Sequence, residues 1–285
     1  MTDHPFSRRT SSIADRLDET ASWASGSTAA AVFDRDGVVA THGIQGLSFA
    51  LASITKLVTA LTTLVAVEEG TLSLGEPLGP DGSTVRHVLA HAGGFAFDGT
   101  EIIAKPGTRR IYSNTGYEVL AEHLAKRAGI PFVEYMSEAV LAPLGMKSTR
   151  LTGTPAAGLN STILDVCRLG GELMNPTLID VSTWQDAISV QFPDLSGILP
   201  GWGLQEPCAW GLGPELKGNK DPHWMGSTAP PWTLGHFGGS GTFLWVDPVA
   251  GIGCAVLTEH AFDEWAVRVW PDFSDKIRAL MVAGN

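Results

Sequence analysis

The clearest β-hairpin signals in this chain lie at its opposite ends. Ala29–Phe33 and Val38–Thr41 flank Arg35-Asp36-Gly37, and Thr242–Val246 and Ile252–Thr258 flank Pro248–Gly251. Asp-Gly admits the positive φ of a tight turn, and short apolar runs on either side read as strands. Each hairpin has an amphipathic neighbour. Ile13–Trp23 places Ile13, Leu17, Ala21 and Ala24 at helical spacing, and Phe262–Met281 reads as a closing helix. The economical layout is an α/β (α+β) fold, with an antiparallel sheet built from both chain ends and flanked by helices. Residues 1–74 and 232–285 then form one discontinuous domain, and residues 75–231 are inserted into it.

The inserted part reads as helices and loops, with Thr84–Ala90, Thr115–Ala128, Phe132–Val140 and Thr162–Met174 at helical period. Thr162-Ile-Leu-Asp165 has the form of a helix-capping start, in which a hydroxyl and a carboxylate meet free backbone N–H groups. A chain of 285 residues can bury a full core without disulfides or metal, and 44% hydrophobic against 17% charged residues excludes disorder. The formal charge of −11 repels phosphate backbones and anionic headgroups, which argues against nucleic-acid or membrane partners. Cys167, Cys208 and Cys254 lack metal-type spacing and read as buried thiols. Met1–Trp23 has no apolar leader-like core, and the uncharged run Leu57–Val67 is too short to span a bilayer, so a cytoplasmic protein is expected.

Three short motifs can carry chemistry. A helix over Ser53–Glu69, with Ile54, Leu57, Val58, Leu61, Leu64 and Val65 as its buried stripe, opens on Ser53-Ile-Thr-Lys56. Residues i and i+3 share a helix face, so the Ser53 hydroxyl lies beside the Lys56 amine, and burial lowers an amine pKa until it can accept the serine proton. The same four residues also describe an N-cap serine followed by a surface lysine. Tyr112-Ser113-Asn114 lies in a loop before the helix near Thr115, where Tyr112 can relay protons as a phenolate and Asn114 can hold a carbonyl or support Lys56. Taken alone it is equally a helix-start turn. Gly235-His236-Phe237-Gly238-Gly239-Ser240-Gly241 leads into a strand, and its glycines let a backbone N–H approach a substrate oxygen. A glycine-rich bend before an edge strand has the same letters.

With all three in this order, the sequence resembles the serine β-lactamase and penicillin-binding-protein superfamily. Within it, the likeness is to the class C-like branch that includes family VIII carboxylesterases and DD-peptidases. Further shared phrases are Thr84-Val-Arg-His-Val-Leu-Ala-His91, Pro106-Gly-Thr-Arg-Arg-Ile-Tyr-Ser-Asn-Thr-Gly-Tyr117, Pro143-Leu-Gly-Met146 and Ala157-Gly-Leu-Asn-Ser-Thr162. The resemblance implies a β-lactamase/transpeptidase-like fold and a two-step acyl transfer without metal or cofactor. Ser53 would attack a carbonyl after losing its proton to Lys56 and Tyr112, and the N–H groups of Ser53 and Gly239 would hold the oxyanion. Asn114, His236, Phe237 and Gly238 would bind substrate.

Departures from the family pattern bear on substrate. Where β-lactamases carry Lys-Thr-Gly, this chain has His236-Phe237-Gly238, and Phe237 supplies no hydroxyl for a substrate carboxylate. The passage from Met146 to Gly158 is too short for the loop that walls the site in larger relatives. That implies an open site, or one walled by the tryptophan-rich segment after residue 180. Most of those tryptophans read as core, with several available to an acyl pocket. No Lys or Arg occurs from Leu169 to Leu216, a stretch that either repels carboxylate substrates or is a solvated acidic face. His87 and His91, at i and i+4, could chelate a metal on one helix face but lack a third ligand and a zincin glutamate. They read instead as hydrogen-bonded histidines. Gly238–Thr242 resembles a nucleophile elbow but ends in Thr, so Ser240 is not the expected nucleophile. The expectation is a serine hydrolase taking a small-molecule ester or amide, foremost a carboxylesterase on small neutral esters. The rivals are a β-lactamase or D-amino-acid peptidase or amidase, and a catalytically weak ligand-binding protein on the same fold.

Overall fold

The computed structural model describes residues 5–23 and 26–283, so Ala24 of the predicted first helix lies outside them. In chain order, α1 (Pro5–Asp18) precedes the hairpin β1 (Thr28–Asp34) and β2 (Gly37–Gly43), then β3 (Phe49–Ala50) and α2 (Thr55–Glu68). The central segment holds α3 (Val85–Leu89), α4 (Asn114–Ala128), α5 (Phe132–Met136), β4 (Arg150–Leu151), β5 (Leu159–Ser161), α6 (Ile163–Met174) and α7 (Val181–Ala187). The hairpin β6 (Gly197–Leu199) and β7 (Gly203–Gln205) follows, then β8 (Glu215–Leu216), β9 (Leu234–Gly238), β10 (Thr242–Asp247), β11 (Ile252–Thr258) and α8 (Glu264–Val282).

The two chain ends do meet in one sheet, of order β2-β1-β11-β10-β9-β8, antiparallel throughout. Both hairpins form where the turn residues stand, and their tips are tied together by Arg35, which donates to the carbonyls of Pro248 and Val249. In the first turn only Gly37 takes a positive φ, of 130°. Strand alternation sorts the side chains onto two faces. Ala29, Ala31, Phe33, Leu244, Val246, Ala255 and Leu257 join the core under α6 and α2. Ala30, Val32, Phe243, Trp245, Cys254 and Val256 pack with Ile13, Leu17, Trp270 and Phe273 of α1 and α8. The sheet's edge strand β8 comes from the segment between residues 75 and 231, so that segment also contributes to the sheet.

The predicted one-sided stripe on α2 is a helix buried on all sides, because Thr55, Lys56, Thr59, Thr62 and Thr63 are as buried as the leucines. Thr62 and Thr63 return their hydroxyls to the carbonyls one turn back. The helix runs through the centre of the molecule and brings Lys56 with it. Seven of the eight late tryptophans are buried, and Trp232 is the half-exposed exception. Among the described residues no helix is long and apolar enough to cross a membrane.

Candidate active site

Ser53 does not begin α2 but lies in the tight turn Ala52–Ile54 that precedes it. Ala52 has φ 45°, a left-handed conformation that costs energy in a residue with a side chain. The surrounding strands hold that turn in place. Leu51 N–H donates to Leu159 O at 2.8 Å, Thr242 Oγ1 donates to Leu51 O at 3.0 Å, and Ser240 Oγ donates to Ala50 O at 2.6 Å. Ser240 thus serves the backbone that presents Ser53.

Lys56 is fully buried, and its Nζ donates to Asn114 Oδ1 at 2.6 Å, to Ala156 O at 2.9 Å and to Ser53 Oγ at 3.4 Å. It also lies 4.6 Å from the centre of the Tyr112 ring. Burial pulls this amine down to about 7, against the opposing fields of Asp98 and Glu118. Asp98 Oδ1 accepts from Asn114 Nδ2 at 2.9 Å, which fixes the Asn114 amide with its oxygen toward the lysine.

Tyr112 and His236 meet across the site, with Tyr112 Oη 3.4 Å from His236 Nε2. His236 Nδ1 faces its neighbour's carbonyl, Phe237 O, at 2.7 Å and so carries the proton, leaving Nε2 as an acceptor. Burial holds this ring neutral, at about 4, and the nearby Lys56 charge acts the same way. Burial also pushes the Tyr112 phenol far above its ordinary value, although a hydrogen bond with Ser53 pulls the other way. Burial therefore favours the neutral phenol at rest.

Gly238 and Gly239 divide two tasks. A Cβ on Gly238 would meet Leu51 O at 2.4 Å and Thr242 Oγ1 at 2.5 Å, so only glycine lets β9 pass this close to the Ser53 turn. Gly239 faces open space and lines a cavity of about 190 Å³ together with Ser53, Tyr112 and His236. The rest of its lining is Phe97, Arg110, Ile198, Leu199, Pro200, Cys208, Trp210, Phe237 and Phe262. Phe237 reaches the cavity with one side while packing 5.0–5.8 Å from Phe262, Trp202, Trp224 and Trp270. Of the tryptophans only Trp210 lines the cavity, so the tryptophan-rich segment walls the site through one ring and the aliphatic run Ile198–Pro200.

Two alternatives that the sequence left open can be followed in the structure. The acidic groups of the base-free stretch do not line this cavity. Asp186 pairs with Arg86 at 2.7 Å, Glu172 accepts from the backbone of Thr177 and Leu178, and Glu215 is buried against Lys220 and His223 at 2.6 and 2.8 Å. His87 and His91 do not share a helix face, because α3 stops at Leu89 and His91 has φ 54°. His87 Nδ1 bonds Thr84 Oγ1, whereas His91 turns inward beneath Tyr112. Among the described residues no group of three potential ligands could hold a metal ion.

A family model described as Beta-lactamase matches residues 17–275. The chain belongs to the Beta-lactamase family. The structure of a beta-lactamase from Mycobacterium bovis, Mb2281c, is 47% identical and covers 94% of this chain and 99% of its own, at a TM-score of 0.92. The beta-lactamase/D-alanine carboxypeptidase of Yersinia pestis, at 21% identity and TM-score 0.75, and the hydrolase EstCE1, at 16% and 0.75, share the fold. They cover 96% and 97% of this chain and 98% of each of their own. AmpH of Escherichia coli K12, a D-alanyl-D-alanine-carboxypeptidase/endopeptidase, is 28% identical over 37% of either chain. The match thus spans little more than a third of that relative's length.

Two residues of this Beta-lactamase-family site, Arg110 and Asp98, carry no functional signal of their own in the sequence, and a third, His91, reads there only as a hydrogen-bonded histidine. Arg110 was visible only as part of a family phrase, yet its guanidinium donates to the carbonyls of Ala90, Gln191, Phe192 and Cys208 and ties the cavity wall to the Tyr112 segment. Asp98 orients Asn114, and His91 supports Tyr112. Their roles depend on contacts between loops, which leave no periodic trace in the sequence.

Proposed function

We propose that this serine hydrolase of the Beta-lactamase family acts through an acyl-enzyme on Ser53 and is a carboxylesterase on neutral esters. The supporting observation is the cavity lining. Arg110 is the one cation among the described lining residues, and backbone carbonyls of Ala90, Gln191, Phe192 and Cys208 take four of its five N–H donors, so it has no pair of free donors for a bidentate grip on a substrate carboxylate. Phe237, packed into an aromatic cluster, offers no hydroxyl either. A neutral ester leaves no buried group unpaired in such a site, whereas a carboxylate-bearing β-lactam does.

In this reading neutral Lys56 takes the Ser53 proton as Oγ adds to the ester carbonyl, and the N–H groups of Ser53 and Gly239 stabilise the oxyanion. As the tetrahedral intermediate collapses, the Tyr112 phenol gives its proton to the departing alkoxide, and the lysine ammonium restores the phenol. Water then adds to the acyl-enzyme with the same groups acting in reverse. His236, neutral and fixed by its own Nδ1–H, receives the Tyr112 hydrogen bond and keeps the phenol aimed at the cavity.

The test is a comparison of a nitrophenyl ester, a chromogenic cephalosporin and a D-alanyl peptide. The ester should show the highest kcat/KM. Cephalosporin turnover above ester turnover would refute the role given to Phe237.

A further inference from the structure

The apolar cavity does not close at its mouth with polar side chains. Phe97 and Ile198 both line it, and both are also exposed, at 53% and 65%. Ile198 stands directly opposite Leu204 in the β6–β7 hairpin. Opposed residues of an antiparallel pair share a face, so Leu204, 60% exposed, carries the apolar surface outward from Ile198. The hairpin is anchored by Gly197, which bridges Arg110 two residues from Tyr112. Single apolar side chains on a surface need no explanation, but a ridge continuous with a reaction cavity marks a binding surface.

We infer that Ile198, Leu204 and Phe97 form an outer subsite for a linear apolar arm of the substrate ester, longer than the cavity encloses. The inference rests on the ester reading above and adds the substrate class, esters with a medium-length alkyl arm. The arm continues the apolar lining without a break, and neither Ile198 nor Leu204 offers a polar group that a peptide or sugar would require.

Two ester series test it: nitrophenyl esters with acyl chains from two to ten carbons, and acetate esters with alcohols of the same lengths. In one series kcat/KM should rise by about tenfold between two and eight carbons, the gain expected from partial burial of added methylenes. Leu204→Thr, which keeps a strand-compatible side chain, should lower the eight-to-two-carbon ratio by about fourfold, and adding Ile198→Thr should lower it further. Alkyl trifluoromethyl ketones assayed as inhibitors of the unaltered protein give the same readout without a substitution, and should bind more tightly as the chain lengthens. Profiles flat or falling beyond four carbons in both series, inhibition independent of length, or an unchanged ratio in Leu204→Thr would overturn the outer subsite. So would a change of oligomeric state in Leu204→Thr with the ratio intact, since the ridge would then seat a second copy. Ester turnover surviving Ser53→Ala would remove the hydrolase reading and the inference with it; Ser53-dependent turnover with no chain-length effect would remove only the inference.

Discussion

The ring of His91 lies 4.5 Å from the ring of Tyr112, and the backbone on either side of that tyrosine is bonded to the same histidine. Ile111 N–H donates to His91 O at 2.9 Å and Ser113 N–H to His91 Nδ1 at 3.1 Å. Burial holds the histidine pKa well below its usual value, so Nδ1 stays an acceptor. His91 is thus a positioning residue for Tyr112. His91→Asn keeps an acceptor near the Nδ1 position and tolerates the φ of 54°. His91→Phe keeps the ring but leaves the Ser113 N–H buried and unpaired, at a cost of about 1–3 kcal/mol. Both should lower kcat with little change in KM, the Phe variant more than the Asn variant, in steady-state assays on a nitrophenyl ester. Full kcat in His91→Phe would contradict the role.

The Lys56 amine, near 7, makes the rate depend on pH in a defined direction. Below that value the amine is protonated and cannot take the Ser53 proton, so kcat/KM should rise with pH along a limb centred near 7. The Glu118 carboxylate raises the lysine pKa, so Glu118→Gln should move the limb to lower pH. A limb that stays put or moves upward would show that another group governs it.

Gly238 and Gly239 should respond oppositely to alanine. In Gly238→Ala the new methyl would lie 2.4 Å from Leu51 O, which has no room to retreat, and β9 must shift away from Ser53. A loss of about 1–3 kcal/mol in stability and most activity is expected. Gly239→Ala meets nothing within 4 Å and should melt close to the unaltered protein. Thermal melts of the two variants check this; equal melting would contradict the close-approach account.

Acid should destabilise the protein before most carboxylates titrate. His223 and His236 are held at about 4 by burial, below the ordinary 6.5. The unfolded chain therefore binds protons that the folded chain refuses, and stability is lost as pH falls from about 6.5 toward 4, by roughly 3 kcal/mol for each ring. Glu215, held below its usual range by Lys220 and His223 against the opposing effect of its burial, acts in the same direction at lower pH. Urea midpoints at pH 7, 6, 5 and 4.5 should fall steadily, and constant midpoints would contradict the burial argument.

Local signals carried much of the fold. The hairpins announce themselves because turn residues and strand alternation are short-range, and Thr162 caps α6 as its spacing suggests. Strand β8 was illegible because two residues, Glu215 and Leu216, are too few to show alternation. The juxtaposition of Ser53 and Lys56 follows from i, i+3 geometry, but the depth of Lys56 does not, since threonines on α2 look like a polar face until other elements cover them. His91 is hydrogen-bonded as its sequence reading has it, but not from the same helix face as His87. Its spacing from His87 implies a shared face only if the helix continues, and the helix stops at Leu89. The resting charge of Tyr112 is not legible in the sequence, because it depends on burial by residues distant along the chain.

The nucleophile is the central claim, and covalent labelling tests it most directly. Treatment with a fluorophosphonate ester followed by peptide mass analysis should place a single adduct on Ser53, with labelling abolished in Ser53→Ala and slowed in Lys56→Ala. An adduct on Ser240 or another serine, or labelling that persists in Ser53→Ala, would contradict it.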